Sequence, residues 1–181
     1  WSRGLGDVYK RQDMPRRIQM EISQVTMRIN WVLANQLNLD PTTNLDQLKD
    51  IGSFWGGWQT WRAYQTDNVI CYDPTKAAEL LKRNFHQLCN FYIPNSQYQF
   101  LGRPEGVKLF EGEIKHDVDN VDDLVSLNLA VTVSDVVILA GFNLTEIEPN
   151  PDKLIQHKKL NYQNLIYRAI EDNSQTQWVI V

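Results

Sequence analysis

Residues 134–140 read Ser-Asp-Val-Val-Ile-Leu-Ala and contain the clearest buried strand of the sequence. Five consecutive apolar residues, Val136 to Ala140, follow a polar start, which is typical of a strand in a parallel sheet that helices cover on both faces. The preceding residues, Val121 to Val133, carry apolar side chains at the spacing of a largely buried helix. A helix that leads directly into a buried strand predicts an α/β fold.

The same pattern recurs on both sides of this segment. Residues 68–72 form a short apolar run, and Asp73-Pro74 then has the composition of a helix start, with the aspartate as N-cap and the proline in the first turn. That helix is expected to continue to about Cys89. Further strands are predicted at 91–93, 107–110 and 177–181, and a long helix at about 152–173. The sequence therefore predicts a Rossmann-like three-layer α/β domain with a short, mostly parallel sheet.

An N-terminal amphipathic helix is also predicted. Between residues 16 and 39, apolar side chains recur at steps of three and four residues, as in Ile22, Val25 and Ile29. One face of such a helix is apolar, so we expect it to lie on the sheet. A short helix at about 45–48 is expected next.

The first residues differ in character from the rest. Residues 7–12, Asp-Val-Tyr-Lys-Arg-Gln, resemble the in-frame translation of a transposase adapter that is used to prepare sequencing libraries. We therefore expect residues 1–13 to be a non-native, disordered segment of a metagenomic sequence, and residues 14–181 to form a single domain. The last residues, 178–181, have the composition of a strand, as in a truncated reading frame.

Composition narrows the class of protein. The chain has 181 residues, 43% of them hydrophobic, which is enough for one folded core. No apolar run approaches the roughly 20 residues of a membrane span. The net charge is −4, and −5 for residues 14–181, which argues against binding along a nucleic acid, since that needs a clustered basic face. We expect a cytoplasmic protein that binds neither nucleic acid nor a membrane, with Cys71 and Cys89 reduced.

Ligands of open α/β sheets bind beyond the carboxyl ends of the strands, near the point where the strand order reverses. This rule places the expected site at three segments. They are the loop Gly52-Ser53-Phe54-Trp55-Gly56-Gly57, residues Tyr72 and Asp73, and residues Gly141 and Asn143. We expect the glycines and the serine of the loop to hold a phosphate through free backbone amides, since glycine allows a close approach.

Aromatic residues begin within this loop and continue beyond it. Four of them are spaced by three residues and would share one side of a helix: Trp55, Trp58, Trp61 and Tyr64. Trp58 and Trp61 could there stack on a base or a sugar, or they could pack in the core or in a subunit interface. Arg62 is expected to pair with a phosphate, unless it forms an ordinary ion pair at the surface.

Acidic residues are the candidates for acid–base chemistry. A catalytic role is predicted for Asp73, although the N-cap role alone would explain it. Six further carboxylates lie in residues 111–123, where Asp117-Val118-Asp119 resembles the metal-binding DxD motif of nucleotide-sugar glycosyltransferases. We expect this stretch to be a solvated acidic loop in which Asp119 or Asn120 caps the following helix. The spacing of the three histidines predicts no metal site, and the sequence identifies no cofactor.

Residues 134–149, Ser-Asp-Val-Val-Ile-Leu-Ala-Gly-Phe-Asn-Leu-Thr-Glu-Ile-Glu-Pro, resemble a late strand and loop of sirtuin-like and related nucleotide-binding Rossmann proteins. The resemblance implies that Gly141, Asn143 and Leu144 line a nucleotide crevice. The paired zinc cysteines, the catalytic His-Gly and the Gly-Ala-Gly loop of sirtuins have no counterparts in this sequence, so deacylase activity is not implied. The Gly-Phe-Asn ending also resembles strand ends of bacterial glycosyltransferase-related Rossmann domains, so the resemblance indicates a fold more than an activity.

Two functions fit these features. The first is a small-ligand protein that binds a nucleotide or a nucleotide-sugar at the carboxyl edge of the sheet and that could act as a transferase. The second is a non-enzymatic protein that sequesters a nucleotide, or that uses the tryptophan-rich segment 54–64 as a partner surface. No general base stands out, so the sequence does not decide whether the protein is an enzyme.

Overall fold

The computed structural model describes residues 27–35, 37, 45–112, 118, 120–142, 144 and 152–181. Within these ranges it contains seven β-strands and six α-helices. The strands are β1 (Ile29–Leu33), β2 (Ser53–Gly57), β3 (Asn68–Ile70), β4 (Asn90–Pro94), β5 (Lys108–Phe110), β6 (Val136–Ala140) and β7 (Gln177–Ile180). The α-helices are α1 (Leu45–Lys49), α2 (Trp58–Tyr64), α3 (Pro74–Lys82), α4 (Asn95–Tyr98), α5 (Val121–Val131) and α6 (Lys153–Asp172). A 3₁₀ helix, Phe85–Gln87, lies between α3 and β4.

The seven strands form one parallel sheet with the order β5-β4-β3-β2-β1-β6-β7. The chain adds β2 to β5 on one side of β1 and then returns to place β6 and β7 on the other side. The helix α5 makes this return and packs across β1, β2 and β3. The predicted α/β fold with a parallel sheet is confirmed, and its topological switch point lies between the neighbouring strands β1 and β6.

Successive residues of each strand face opposite sides of the sheet. On one side, Val32 and Val137 lie in the core that α5 and α6 cover with Leu127 and Ile166. On the other side, one apolar cluster joins β3 and β4 to α2 and α3, and another joins β1, β2 and β6 to α1. The sheet is therefore the middle of three layers.

The predicted N-terminal helix is wrong over residues 29–33. These residues form β1, which pairs with parallel strands on both sides. A central strand is covered on both faces, so Val32 and Leu33 are both buried, and no alternation distinguishes the strand from a helix. Residues 16–26, 36, 38 and 39 of the predicted helix lie outside the described residues. The short helix expected at about 45–48 is confirmed as α1.

The predicted loop at residues 52–57 is mostly the strand β2. Phe54 and Trp55 face opposite sides of the sheet, and both are buried. A segment with three glycines predicts a loop because glycine is uncommon inside strands, but close packing accounts for the glycines here. A Cβ on Gly52 would lie 2.1 Å from the carbonyl oxygen of Ile29, and a Cβ on Gly56 would lie 3.1 Å from the Thr60 side chain.

The remaining predicted elements are confirmed within two residues, except at the end of α3. This helix begins at Pro74 with Asp73 as N-cap, as predicted, but it ends at Lys82 and not near Cys89. Asn84 then adopts the left-handed conformation, with a φ of 56°, which breaks the helical path. Leu88 lies beyond the end of the helix and is 67% exposed.

None of the described helices is both long and apolar enough to cross a membrane. The longest, α6, has 20 residues and buries Ile166 and Ala169 against the sheet.

A substitution at Gly141 tests how closely the chain packs at the end of β6. Its φ is +78°, and a Cβ there would lie 2.8 Å from the Cα of Leu37. Gly102 has nearly the same φ, +80°, but a Cβ there would meet nothing within 4 Å. We expect Gly102→Ala to lower the free energy of unfolding by about 1 kcal/mol for its backbone conformation alone. Gly141→Ala should lower it by about 1–3 kcal/mol more, because Leu37 must move.

Urea denaturation of the two variants measures this difference directly. Equal losses of stability would show that the segment after β1 does not pack on Gly141.

Candidate functional site

A crevice of about 420 Å³ lies at the carboxyl ends of β1, β2 and β3. The first turn of α5 forms one wall, and the starts of α2 and α3 together with α4 form the other. The described lining includes three carboxylates, four amide side chains and two aromatic rings, and neither lysine nor arginine. These nine residues are Asp73, Asp122, Asp123, Asn35, Gln59, Gln97, Asn120, Trp58 and Tyr72.

The carboxylate of Asp122 ties α5 to the end of β3. Its Oδ1 accepts a hydrogen bond of 2.8 Å from the backbone N–H of Tyr72. The helix is also close to Gly57, where a Cβ would lie 2.9 Å from the Cβ of Asp122. Glycine at the end of β2 therefore lets the first turn of α5 lie directly on the edge of the sheet.

Asp123 makes the equivalent contact with the end of β1. Its Oδ2 accepts a hydrogen bond of 2.9 Å from the backbone N–H of Asn35, and one of 3.3 Å from the hydroxyl of Tyr162 on α6. The residue is 1% exposed, and its Oδ1 is buried without a partner among the described residues. One oxygen of this carboxylate holds the fold together, whereas the other makes no such contact.

Burial makes both carboxyl groups hard to ionise. It raises the pKa of Asp122 to about 6 and the pKa of Asp123 to about 7. The hydrogen bonds from Tyr72 and Asn35 act in the opposite direction, because they favour the charged carboxylate. The negative charge of Asp73 adds to the rise at Asp122, and the charge of Asp122 adds to the rise at Asp123. Asp123 therefore keeps its proton to a higher pH than an exposed aspartate does.

Amide side chains line the crevice on both sides. Gln97, in α4, donates from Nε2 to the carbonyl oxygen of Tyr72 at 2.7 Å, and its Oε1 is buried without a partner in the described structure. Beside β1, the Nδ2 of Asn35 donates to the amide oxygen of Gln59 and, at 3.4 Å, to Oδ1 of Asn120. Hydrogen bonds thus fix the polar lining near β3 and near β1.

Asp73 lies at the exposed edge of the crevice and caps α3. Its Oδ1 accepts from the backbone N–H of Thr75 at 2.8 Å and from that of Lys76 at 3.1 Å. The predicted N-cap role is confirmed. The predicted catalytic role of Asp73 stays a prediction.

Of the tryptophans in the described residues, Trp58 lines the crevice. The Nζ of Lys76 lies 4.4 Å from the centroid of its ring. Trp61 packs edge-on against Phe85, with ring centroids 4.5 Å apart, and joins the core cluster on that side of the sheet. Trp55 belongs to β2, so the expected single helical stripe is wrong for it, because the helix begins only at Trp58.

The structure brings four of the predicted site residues together in the crevice: Gly57, Trp58, Tyr72 and Asp73. Gly52 and Ser53 lie at the start of β2 or just before it, which is the opposite edge of the sheet. Residues 52–57 do not form the expected cradle of free amides, because most of them belong to a strand paired on both sides.

The other predicted site residues lie apart from the crevice lining. Gly56 lies in β2, one residue before the lining residue Gly57. Trp61 and Arg62 lie in α2 after the lining residues Trp58 and Gln59, and Arg62 is exposed. Gly141 packs against the segment that follows β1. Asn143 lies outside the described residues. The ligand-binding roles of these residues remain predictions.

Asp122 and Asp123 are the site residues that the sequence prediction misses. The expected solvated acidic loop is wrong for both, since they belong to α5 and lie against the sheet. Asn120 does hold the N-cap position, but its φ is 59° and its side chain makes no cap hydrogen bond. Asp117 and Asp119 of the DxD motif lie outside the described residues. The available signal is the pair of acidic residues in the first turn of a mostly apolar helix.

The residues that the structure describes contain no group of three histidine, cysteine, aspartate or glutamate side chains that could hold a metal ion. Two of the carboxylate oxygens in the crevice, Oδ1 of Asp122 and Oδ2 of Asp123, already accept backbone hydrogen bonds.

The sequence matches no protein-family model, and no curated protein or solved structure is significantly similar to it.

The raised pKa of Asp123 predicts that stability depends on pH. The folded protein holds the Asp123 proton up to about pH 7, whereas the unfolded chain releases it near the ordinary value of 3.8. The free energy of unfolding therefore falls as the pH rises through this window. This group alone should account for about 2 kcal/mol between pH 5.5 and pH 8.

Urea denaturation of the wild type and of Asp123→Asn at the two pH values measures this contribution. The asparagine does not titrate, but its amide oxygen can still accept from the backbone of Asn35. The stability of the variant should therefore change less with pH than that of the wild type. The same pH dependence in both proteins would contradict the buried position of the carboxylate.

Proposed function

We propose that this protein binds a nucleotide or a nucleotide-sugar in the crevice, through the uncharged nucleoside or sugar part of the ligand. The observation that supports this proposal is the lining, because carboxylate and amide groups from several strand and helix ends converge on one space of about 420 Å³. A space of this size is typical of sites for small ligands.

Sugar hydroxyl groups match such a lining. A hydroxyl both donates and accepts, so it can bond to a carboxylate such as Asp122 and to an amide such as Asn120 within one site. Hydrogen bonds to ionised carboxylates are about twice as strong as those between neutral groups. Trp58 and Tyr72 add aromatic surface against which a base or a sugar ring can pack.

The phosphate of a nucleotide would lie outside the crevice. The charges of the aspartates repel an anion, and the described lining has no lysine or arginine to offset them. This placement replaces the expectation that the glycines of residues 52–57 hold the phosphate. The nucleoside would point inward and the phosphate toward solvent.

Transferase activity needs a group that accepts a proton from the attacking hydroxyl or amine. Asp73 is the candidate from the sequence, but its Oδ1 already accepts two backbone hydrogen bonds from α3. Asp122 is better suited, since burial raises its pKa to about 6, close to the range in which a carboxylate is an effective base at neutral pH.

The contacts of the three aspartates favour a second candidate, a protein that binds the ligand without turning it over. Asp73, Asp122 and Asp123 each hold a backbone amide. Sequestration of a ligand requires no carboxylate that is free to exchange protons. The tryptophan-rich segment is the weaker basis for a partner surface, because Phe54 and Trp55 are buried.

Thermal unfolding of the full chain tests for binding, with nucleoside monophosphates, nucleoside diphosphates and nucleotide-sugars as ligands. A ligand that binds only the folded state adds about 2.7 kcal/mol to the free energy of unfolding at a hundred times its Kd, so the Tm should rise. Asp122→Asn should weaken this binding about tenfold, since it removes a charge to which a hydroxyl bonds. The control is Asp172→Asn, which also removes one aspartate charge. Asp172 is exposed at the end of a different helix, α6, and does not line the crevice.

No rise in Tm with any of these ligands would contradict the proposed function. Where a ligand binds, formation of a product during long incubation with candidate acceptors supports the transferase. Unchanged ligand supports sequestration.

A further inference from the structure

Two oxygen atoms of the crevice residues are buried hydrogen-bond acceptors without a donor in the described structure. They are Oδ1 of Asp123 and Oε1 of Gln97. Both residues line the crevice. Six buried side-chain atoms of the described residues lack a partner, and these two belong to residues around one space. Because folded proteins pair most buried polar atoms, two acceptors around one space point to a ligand that supplies the missing donors.

The other atoms of these two side chains fix their orientation. Gln97 must point Nε2 toward the carbonyl oxygen of Tyr72, because only its amide nitrogen can donate there. The second oxygen of Asp123 is held by the N–H of Asn35 and the hydroxyl of Tyr162. Neither side chain can turn its bonded atom into the crevice without losing a contact that holds the fold. The ligand must therefore supply donors at both places.

The two acceptors are tied to different strands. Gln97 is bonded to Tyr72, just after β3, and Asp123 is bonded to Asn35, just after β1. Because β2 lies between these strands, and neighbouring strands are about 4.8 Å apart, the two strand ends are about 10 Å apart. A ligand that bonds to both acceptors needs hydrogen-bond donors at two separate ends, as on the base and the ribose of a nucleoside.

The two ends of the crevice differ in character. The acceptor at the β3 end is a neutral amide oxygen beside the aromatic residue Tyr72. The acceptor at the β1 end is a carboxylate oxygen, and the amides of Asn35 and Asn120 lie beside it. An exocyclic amino group on an aromatic base suits the first end, and the neighbouring hydroxyls of a ribose suit the second.

We propose that the crevice binds a nucleoside or nucleotide whose base carries an exocyclic amino group. The amino group donates to Oε1 of Gln97, and a ribose hydroxyl donates to Oδ1 of Asp123. This inference rests on the proposed function and specifies the class of ligand that the same site takes.

Three nucleosides test the two contacts on the full chain by isothermal titration calorimetry. They are adenosine, purine riboside, which lacks the amino group, and 2′,3′-dideoxyadenosine, which lacks both ring hydroxyls. We expect each loss to weaken binding to the wild type about tenfold, as for one hydrogen bond to a buried acceptor.

Two variants test which acceptor binds the amino group and which binds the ribose hydroxyl. In Gln97→Met the side chain keeps its length but has no acceptor, so adenosine and purine riboside should bind equally. In Asp123→Asn an amide N–H replaces the carboxylate oxygen. It can still donate to a hydroxyl oxygen, but the bond is weaker, so the preference for adenosine over 2′,3′-dideoxyadenosine should shrink. Gln99→Met, at the exposed end of α4, is the matched control and should keep the wild-type ratios.

Equal affinity of the wild type for the three nucleosides would overturn this inference and leave the proposed function standing. It would also be overturned if Gln97→Met changed the response to the ring hydroxyls and Asp123→Asn the response to the amino group. Tighter binding of a ligand without base and ribose, with spermidine and inorganic phosphate as probes, would overturn it too. If Asp123→Asn does not fold, the ratio measured with Gln97→Met decides. Failure of every nucleoside and nucleotide to bind would overturn the proposed function as well.

Discussion

Two hydrogen bonds from backbone amides to buried carboxylates hold the crossover of this fold in place. Asp122 accepts from Tyr72 and Asp123 accepts from Asn35, so the first turn of α5 is joined to the ends of β3 and β1. This helix carries the chain from the edge strand β5 back across the sheet to β6. Its position therefore decides on which side of β1 the last two strands are added, and where the edge of the sheet stays open.

Burying the two carboxylates that make these contacts also has a free-energy penalty. Burial of a carboxylate disfavours its ionised form, which is why the pKa values of Asp122 and Asp123 are raised. Apolar side chains at these positions would avoid that penalty, but they could not accept from the N–H groups of Tyr72 and Asn35. The acidic crevice is therefore a consequence of how the strand ends are capped. A ligand that donates hydrogen bonds there would offset part of the penalty and couple binding to stability.

A local pattern in the sequence predicts part of this fold, and contacts between distant residues determine the rest. The buried strand β6 and the start of α3 follow from an apolar run and from an Asp-Pro pair. The strand β1 could not be assigned, because both of its faces are covered, and β2 is obscured by glycines whose close neighbours are Ile29, Thr60 and Asp122. In the crevice, Tyr72 follows a recognisable strand, whereas Asp123 acquires its contacts only through the crossover.

The crevice does not lie at the switch point, because the chain that follows β1 occupies the space there. A sheet with this strand order is expected to bind ligands between β1 and β6. There the chain after β1 crosses the end of β6, since Leu37 lies against Gly141. The chain itself thus occupies that space. The crevice lies instead at the ends of β1, β2 and β3, beside the first turn of α5, which can approach closely because residue 57 is glycine. The chemistry of the site is consequently that of an acidic helix start and not that of a glycine-rich loop.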